Sequence, residues 1–319
     1  MCKEDATLTA NILLEADLRG YKSHGVERIF QILDGFQHKS LLPVNHSMLI
    51  KDNKSVTIVD GKNYLGQPLA HRLMSIAINR SKIYGVGVSG VVNSGHIGLL
   101  SYYSELAAQQ GCVGLVMTTS SPAVVLKGSG RKFFGTNPIS YSIPTKNSPP
   151  IIADFSTSKV SRSKIFEYLK AGRSLPEDWA VRADGKPTTS AQDALDGGIQ
   201  TFDAGIKGAS LSLLISILSG PLIGGVINSE VKGTRYMNES SNKGDFFISF
   251  DISHFTNLDQ FKEIIENLIS SIKQEKSDFR VPGSRAHEQK KFALLNGLEI
   301  SPELNALFTQ LQEDLHHAV

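Results

Sequence analysis

Two histidines in this 319-residue chain lie in segments whose small neighbours leave an imidazole uncrowded. His24 lies within residues 23–26 (Ser-His-Gly-Val), and His96 lies within residues 93–98 (Asn-Ser-Gly-His-Ile-Gly). Histidine has an unperturbed pKa of about 6.5, so it can give or take a proton near neutral pH. A third segment, residues 134–139, adds a rigid loop that contains glycine and proline. We predict that these three segments form the walls of one active site.

The composition is typical of a globular enzyme and argues against several classes of protein. Hydrophobic residues make up 40% of the chain and charged residues 20%, with a formal net charge of +2. Lysine and arginine are interspersed with acids, whereas a nucleic-acid surface needs them clustered, so no nucleic-acid partner is expected. The two cysteines, Cys2 and Cys112, exclude a disulfide framework. No signal peptide is visible at the start of the chain, so we expect a cytoplasmic protein.

One segment is apolar enough to resemble a membrane span. Residues 206–227 are mostly apolar, but they include Lys207, several serines, a proline and four glycines. We therefore predict a buried helix of a soluble protein and no association with a membrane.

No two histidines have the H-x-H or H-x-x-x-H spacing of metal ligands, so no metal site is predicted.

Helices alternate with strands along the chain, which predicts an α/β protein. The expected helices cover residues 5–19 (with Asp5 as the cap), 26–36, 68–81, 99–110, 211–218, 258–273 and 301–316. The expected strands cover residues 56–59, 85–93, 113–118, 139–143, 151–155 and 245–251. Residues 171–198 are rich in glycine and proline and are expected to be loops.

Residues 85–90 match the G-x-G-x-x-G pattern of dinucleotide-binding proteins, but their context is wrong. The fingerprint requires a strand before the glycines and a helix that begins at them. Here a helix precedes the glycines, and they lie within the predicted strand. We predict a buried strand in which glycine makes room for close neighbours, and not a Rossmann fold.

Six segments in this order resemble the malate/L-lactate dehydrogenase family, which lacks a Rossmann fold. The segments are residues 16–28, 93–98, 135–138, 154–158, 206–208 and 281–283. The resemblance implies a mixed-sheet α/β domain that binds NAD or NADP, residues 63–284. It also implies a mostly helical substrate and dimerisation domain made from residues 1–62 and 285–319. The protein is therefore expected to be a homodimer.

The implied activity is hydride transfer between NAD(P)H and a small 2-keto or 2-hydroxy acid. Reduction of a ketone produces an alkoxide, so a proton donor must lie within hydrogen-bond distance of it. His96 is the favoured acid–base residue, and His24 is its partner or substitute. Arg28 follows His24 by four residues, and its guanidinium is expected to bind the substrate carboxylate. Ser120 matches a serine that contacts substrate in the family.

The resemblance also implies residues that bind the cofactor. Asp154, Ser156 and Ser158 follow a strand, in a segment whose hydroxyl and backbone N–H groups suit phosphate. Lys207 is placed at the start of the apolar helix, where an anion is favoured by the helix dipole. The C-terminal cofactor loop is matched by Gly283, Ser284 and Arg285.

Two other functions remain compatible with the sequence. The same fold could reduce a cyclic imine of the piperideine-2-carboxylate type. The chain could also be a catalytically silent relative that binds a metabolite, although the presence of His24, His96 and Arg28 favours an enzyme.

Overall fold

The computed structural model describes residues 1–233 and 238–317, with side chains up to residue 313. The helices are α1 (Lys3–Leu18), α2 (Arg28–Gln37), α3 (Gly66–Tyr84), α4 (Leu100–Gln109), α5 (Arg162–Lys170), α6 (Ala191–Asp196), α7 (Ile206–Leu218), α8 (Leu258–Glu275), α9 (Ser284–Asn296) and α10 (Pro302–His317). The strands are β1 (Met48–Asn53), β2 (Val56–Asp60), β3 (Val86–Val92), β4 (Cys112–Thr118), β5 (Val124–Val125), β6 (Lys132–Phe134), β7 (Ile139–Ile143), β8 (Ile151–Phe155), β9 (Ala180–Val181), β10 (Pro187–Thr188), β11 (Gly198–Ile199) and β12 (Gly244–Asp251). The mixed α/β class is confirmed.

The main sheet has seven strands in the order β1-β2-β3-β12-β4-β7-β8. Strands β2 and β3 are parallel, and every other pair of neighbours is antiparallel. Strands β3 and β4 therefore run in the same direction, because each is antiparallel to β12 between them. The loops that follow β3 and β4 therefore leave the sheet at the end where β12 begins.

Helices cover both faces of the main sheet, as expected for strands that are apolar on both sides. On one face, α3 and α4 pack against the sheet through a buried cluster that includes Leu73, Met74, Tyr103 and Phe247. On the other face, Ile215 of α7 joins a smaller buried cluster. The central strands are thus held in a fixed position between two apolar layers.

The glycines of β3 are explained by close packing, as the sequence predicted. A Cβ atom on Gly87 would lie 1.9 Å from the carbonyl oxygen of Ala77 in α3. A Cβ atom on Gly90 would lie 2.7 Å from Ile223 on the opposite face. Glycine therefore lets helices approach both faces of this strand, and the G-x-G-x-x-G pattern has a packing role here.

A second, five-stranded sheet has the order β10-β9-β11-β5-β6 and packs with α5 and α6. Its apolar cluster includes Ile165, Ile199 and Phe134. Part of this sheet lies within residues 171–198, which were expected to be loops. The strands were missed because each has only two residues, too few to show a period.

Two local predictions near the N-terminus need correction. Asp5 does not cap α1; it is buried and bonds to Tyr64 and Arg72. Helix α2 begins at Arg28, two residues later than predicted, because the preceding residues form a 3-10 helix, Lys22–His24, and a turn.

The two ends of the chain pack together, since Lys290 of α9 pairs with Glu15 of α1 at 2.6 Å. The proposed domain boundary after residue 62 stays a prediction. Strand β2 pairs with β3 across that boundary, so strands β1 and β2 lie in the main sheet.

Helix α7 begins five residues before the predicted helix of residues 211–218, ends at the predicted residue and is more exposed than the sequence suggested. The stretch Ile206–Ile223 has the length and hydropathy of a membrane span, and 39% of it is buried. Within this stretch α7 ends at Leu218, so its 13 residues extend about 20 Å, against about 30 Å for the bilayer core. Its inner residue Ile215 is fully buried, but Leu213, Leu214 and Ile217 are 42–49% exposed. The prediction of a buried helix holds for one face only.

We expect Gly87→Ala to lower the free energy of unfolding by about 3 kcal/mol, because the new methyl group overlaps the backbone of α3. Gly172→Ala is the control. Gly172 has open space around it and a positive φ of 62°, so alanine there should cost only about 1 kcal/mol. Urea denaturation followed by circular dichroism measures both. Equal losses would contradict the packing role of Gly87.

Candidate active site

His24 ends the short 3-10 helix, and its position depends on a close approach of the next residue to α1. A Cβ atom on Gly25 would lie 1.9 Å from the carboxylate of Asp17. That carboxylate accepts a hydrogen bond from the backbone N–H of Val26 at 2.7 Å. A side chain at residue 25 would displace the Asp17 carboxylate from this bond, so glycine here keeps the turn that presents His24 tied to α1.

His96 lies in the loop between β3 and α4, and the backbone of this loop is anchored on both sides. Gly95 donates from its N–H to the carbonyl oxygen of Tyr64 at 3.0 Å. The hydroxyl of Tyr103 donates to the carbonyl oxygen of Ile97 at 2.5 Å. These bonds hold the residues before and after His96, so the loop presents its imidazole in one place.

The imidazoles of His24 and His96 lie close together, although 71 residues separate them in the chain. Their ring centroids are 5.7 Å apart and the rings are inclined by 29°. Both line one cleft of about 450 Å³, in the usual range for a small-molecule site. The predicted convergence of the three segments is therefore observed. The cleft is lined by Tyr21, His24, Arg28, His96, Gly98, Leu99, Leu100, Ser120, Ser121, Ala123, Thr136, Pro138, Asp154, Phe155, Ser156, Ser161, Arg162, Ser163 and Phe166.

Arg28 is the first residue of α2 and shares this cleft with both histidines. Its Nε donates to the carbonyl oxygen of Ser23 at 2.7 Å, and its Nη1 donates to Oε1 of Gln31 at 2.5 Å. Both acceptors are uncharged oxygen atoms. The guanidinium is thus held in a defined orientation while its positive charge remains available to an anion.

The charge state of the histidines follows from burial and from nearby cations. Burial, together with the positive charge of Arg28, lowers the pKa of His24 to about 4. Burial also holds the pKa of His96 well below its usual range, with further contributions from Arg28, His24 and Lys243. Both imidazoles are therefore neutral near pH 7 in the free protein.

A hydrogen bond defines which nitrogen of His96 carries the proton in that neutral state. The backbone N–H of Gly98 donates to Nδ1 of His96 at 3.1 Å. Since Nδ1 accepts, the proton of the neutral ring is on Nε2. His24 is less constrained, because its Nδ1 lies 3.0 Å from the hydroxyl of Ser23, which can donate or accept. His96 can therefore offer an N–H to an oxygen atom, whereas His24 can adopt either tautomer.

Asp154 lines the same cleft at the end of β8, and its carboxylate accepts from the backbone N–H of Ser101 at 2.7 Å. Burial raises its pKa to about 6, although the bonds to Ser101 favour the ionised form. Asp154 was predicted to bind cofactor phosphate. A carboxylate repels a phosphate, so its position here fits a neutral or cationic group better.

The structure brings some of the predicted residues into the cleft and leaves others outside its lining. Ser120 lines it, and its Oγ accepts from the N–H of Thr136 at 3.0 Å. Ser156 also lines it. Ser158 is buried behind it and donates to the carbonyl oxygen of Val160 at 2.8 Å. Lys207 is exposed and outside the lining.

The N-terminus of α7, where Lys207 was expected to help bind an anion, already holds a carboxylate. Asp203 accepts hydrogen bonds from the backbone N–H groups of Gly205, Lys207 and Gly208 at 3.0–3.1 Å. These donors would have to exchange partners before they could bind a phosphate.

The C-terminal cofactor loop lies beside β8. Gly283 has a φ of 91°, and a Cβ atom there would lie 3.0 Å from the backbone of Ile152. Ser284 begins α9 and lines a neighbouring cavity. Burial raises the pKa of the cleft residue Tyr21, and the positive charge of Arg285 opposes part of that increase. The side chain of Arg285 is itself exposed. The loop therefore borders the site, and the cofactor roles stay predictions.

The sequence analysis did not predict helix α5, whose start lines the cleft. Arg162 and Ser163 lie in the first turn of this helix, and Phe166 follows one turn later. The hydroxyl of Ser161 caps the helix by accepting from the N–H of Lys164 at 3.2 Å. A serine followed by a helical pattern is an N-cap signal that could have located this element.

Comparison with known proteins agrees with this geometry. A family model described as malate/L-lactate dehydrogenase matches residues 1–308. The chain belongs to this family. It is 34% identical to the malate/(S)-sulfolactate dehydrogenase of Methanothermus fervidus over 314 residues. The matched region covers 98% of this chain and 92% of that protein. The predicted resemblance and the dehydrogenase class are confirmed.

Solved structures confirm the non-Rossmann fold of the malate/L-lactate dehydrogenase family. The sulfolactate dehydrogenase from Methanocaldococcus jannaschii has a TM-score of 0.92 and 34% identity, covering 99% of this chain and 92% of that one. The delta1-piperideine-2-carboxylate reductase from Pseudomonas syringae pvar. tomato has a TM-score of 0.89 and 27% identity, covering 98% and 93%.

We expect the low pKa of His96 to make the fold sensitive to acid. Below about pH 6.5 the unfolded chain protonates this histidine while the folded chain does not, so stability falls as the pH falls. His96→Gln should therefore show a smaller drop in Tm between pH 7 and pH 5 than the wild type. His46→Gln, at an exposed position, is the control and should keep the wild-type slope. Identical slopes for all three proteins would rule out this effect.

Proposed function

We propose that this protein is a nicotinamide-dependent oxidoreductase that interconverts a small 2-keto acid and the corresponding 2-hydroxy acid. The observation that supports this most strongly is the convergence of two imidazoles and one guanidinium in a single cleft. A 2-keto acid has a carbonyl oxygen that must be protonated and a carboxylate beside it. The cleft offers a partner for each.

Arg28 binds the substrate carboxylate, and the histidines act on the adjacent oxygen atom. The ordered guanidinium can make two parallel bonds to a carboxylate. His96 donates a hydrogen bond from Nε2 to the ketone oxygen, and the pair of His96 and His24 supplies the proton. The two rings are close enough for the charge of one to affect the other.

Substrate binding itself raises the affinity of the histidines for a proton. Arg28 lowers the pKa of both imidazoles in the free protein. A carboxylate bound to Arg28 offsets that positive charge, so an imidazolium becomes less unfavourable. Binding of a keto acid thus prepares the acid form that reduction requires, while the neutral form suits oxidation of the hydroxy acid.

The residues of the cleft fit a nicotinamide cofactor. Phe155 is 43% exposed and, with Phe166, offers aromatic surface for a planar ring. The first turn of α5 supplies backbone N–H groups and the guanidinium of Arg162 at the cleft, a combination that suits a diphosphate. Bound there, NADH or NADPH would supply the hydride.

The deciding experiment is an assay of the purified protein with each reduced cofactor and a panel of carbonyl acids. We expect oxidation of NADH or NADPH with a 2-keto acid such as oxaloacetate, pyruvate or sulfopyruvate, followed by the near-ultraviolet absorbance of the reduced nicotinamide. A panel that includes piperideine-2-carboxylate tests the second candidate, which the likeness to a piperideine-2-carboxylate reductase favours. Turnover of the imine alone would replace the keto acid assignment, and no turnover with any acid would refute both.

Replacement of His96 should affect chemistry more than binding. We expect His96→Ala to reduce kcat by roughly 10²–10⁴ while the Kd of the reduced cofactor changes little, because the acid–base group is lost. Cofactor titration by fluorescence and steady-state kinetics measure the two effects. His46→Ala, at an exposed position, is the control and should keep the wild-type kcat. Unchanged turnover would move the acid–base role to His24.

Replacement of Arg28 should affect substrate binding instead. Arg28→Ala should raise KM for the keto acid by roughly 10²-fold or more, because a charge-assisted pair of bonds is worth a few kcal/mol. Arg28→Lys should recover only part of this, since an ammonium lacks the planar fork. A KM equal to that of the wild type in Arg28→Ala would contradict the carboxylate role.

We further propose that the protein is a homodimer in which the outer face of α7 is covered. Leu213, Leu214 and Ile217 form an apolar stripe on that face and are 45, 49 and 42% exposed. Leu214→Glu should shift the protein toward a monomer in sedimentation-velocity analysis. Ile83→Glu, at an exposed apolar site on α3, is the control and should not. A Leu214→Glu protein with wild-type mass would exclude α7 from the interface.

A further inference from the structure

A completely buried ion pair lies at the start of β12, close to the cleft but outside its lining. Nζ of Lys243 donates to Oδ1 and Oδ2 of Asp245 at 2.5 and 2.6 Å, and the two side chains are 3% and 0% exposed. The proposed chemistry uses neither residue.

Asp245 also accepts bonds from two residues that lead into loops at the walls of the cleft. The hydroxyl of Ser94 donates to Oδ2 at 2.7 Å, and the hydroxyl of Thr118 donates to Oδ1 at 2.5 Å. Ser94 is two residues before His96, and Thr118 is two residues before Ser120. One carboxylate therefore joins the His96 loop to the Ser120 loop.

The backbone at the start of β12 makes the same connection. The N–H of Asn93 donates to the carbonyl oxygen of Lys243 at 3.1 Å. The N–H of Thr119 donates to the carbonyl oxygen of Gly244 at 3.0 Å. Since β12 is antiparallel to both β3 and β4, its first residues meet the last residues of each. The ion pair lies where the two loops leave the sheet.

Stability alone is a poor explanation for such a pair. Removing two charges from water is costly, and apolar residues of similar size often stabilise a core as well or better. The arrangement here is specific: Lys243 also donates to the hydroxyl of Ser94 at 3.1 Å, so the ammonium and the carboxylate both hold the His96 loop.

We propose that Lys243 and Asp245 are positioning residues that hold His96 and Ser120 at a fixed separation across the cleft. This rests on the proposed function, because the two residues act through groups assigned to that chemistry. A shift of about 1 Å in such groups can reduce turnover by about 10²-fold.

The ammonium of Lys243 also contributes to the electrostatic environment of His96. The charged or titratable groups that face this imidazole are Arg28 from α2, His24 from the 3-10 helix and the pair Lys243 and Asp245 from β12. Lys243 is among the groups that lower the pKa of His96. Removal of this positive charge should therefore raise that pKa.

The test compares two carboxylates on one strand. Asp245→Asn alters the pair beside the cleft. Asp251→Asn alters the matched pair at the other end of β12, where the buried carboxylate of Asp251 lies 3.0 Å from Nζ of Lys82. The double variant Lys243→Met/Asp245→Asn removes both charges, so it leaves no unpaired buried ion that could prevent folding.

We expect Asp245→Asn and the double variant to reduce kcat by about 10²-fold. The Kd of the reduced cofactor should stay within about threefold, and Asp251→Asn should keep kcat within about threefold, whatever its effect on Tm. Equal losses of kcat in Asp245→Asn and Asp251→Asn would show a merely structural role and overturn the proposal.

A second readout does not depend on activity. NMR of protein that carries ¹³C-labelled histidine, assigned with His96→Gln, gives the chemical shift of the His96 imidazole. We expect the double variant to move this resonance, because the His96 loop loses its bonds to both side chains. An unchanged His96 chemical shift would overturn the proposal even if the wild type reduced none of the acids tested. Lack of wild-type turnover alone would instead refute the proposed function.

Discussion

The position of β12 between β3 and β4 is the constraint on which the site depends. Because β12 runs antiparallel to both neighbours, the loops after β3 and β4 leave the sheet together at the point where β12 begins. His96 is on one of these loops and Ser120 is on the other. Gly87 allows α3 to pack directly on β3, and Gly90 allows Ile223 to pack on the opposite face, so the strand that leads into the His96 loop is held from both sides.

The electrostatics of the cleft follow from placing two imidazoles and a guanidinium in a poorly hydrated space. The pKa of each imidazole is lowered, because a buried site disfavours the charged form and because Arg28 nearby is already positive. A carboxylate ligand reverses the second effect. In the reaction that we propose, the cation that binds the substrate carboxylate therefore also couples binding to protonation, and the free protein keeps both imidazoles in the neutral form that suits oxidation of a hydroxy acid.

The alternation of helices and strands could be predicted from the sequence because the apolar periods of long elements are clear. Strands β3, β4 and β12 were located within one or two residues, and the rejection of a dinucleotide fingerprint at residues 85–90 was correct. Two-residue strands in the second sheet were missed because they are too short to show a period. The exposure of one face of α7 was also missed, since an apolar helix does not reveal how much of it is covered.

The sequence by itself determined which residues could carry the chemistry: His24, His96 and Arg28 stand in segments whose composition and order indicate a dehydrogenase family. Only the tertiary structure decided how they act together. The ring separation of 5.7 Å, the bond from Gly98 that puts the proton of His96 on Nε2, and the buried pair Lys243 and Asp245 all join residues that are distant in the chain or depend on exact backbone positions. Such contacts arise from sheet register and helix packing, which no local pattern of residue types records.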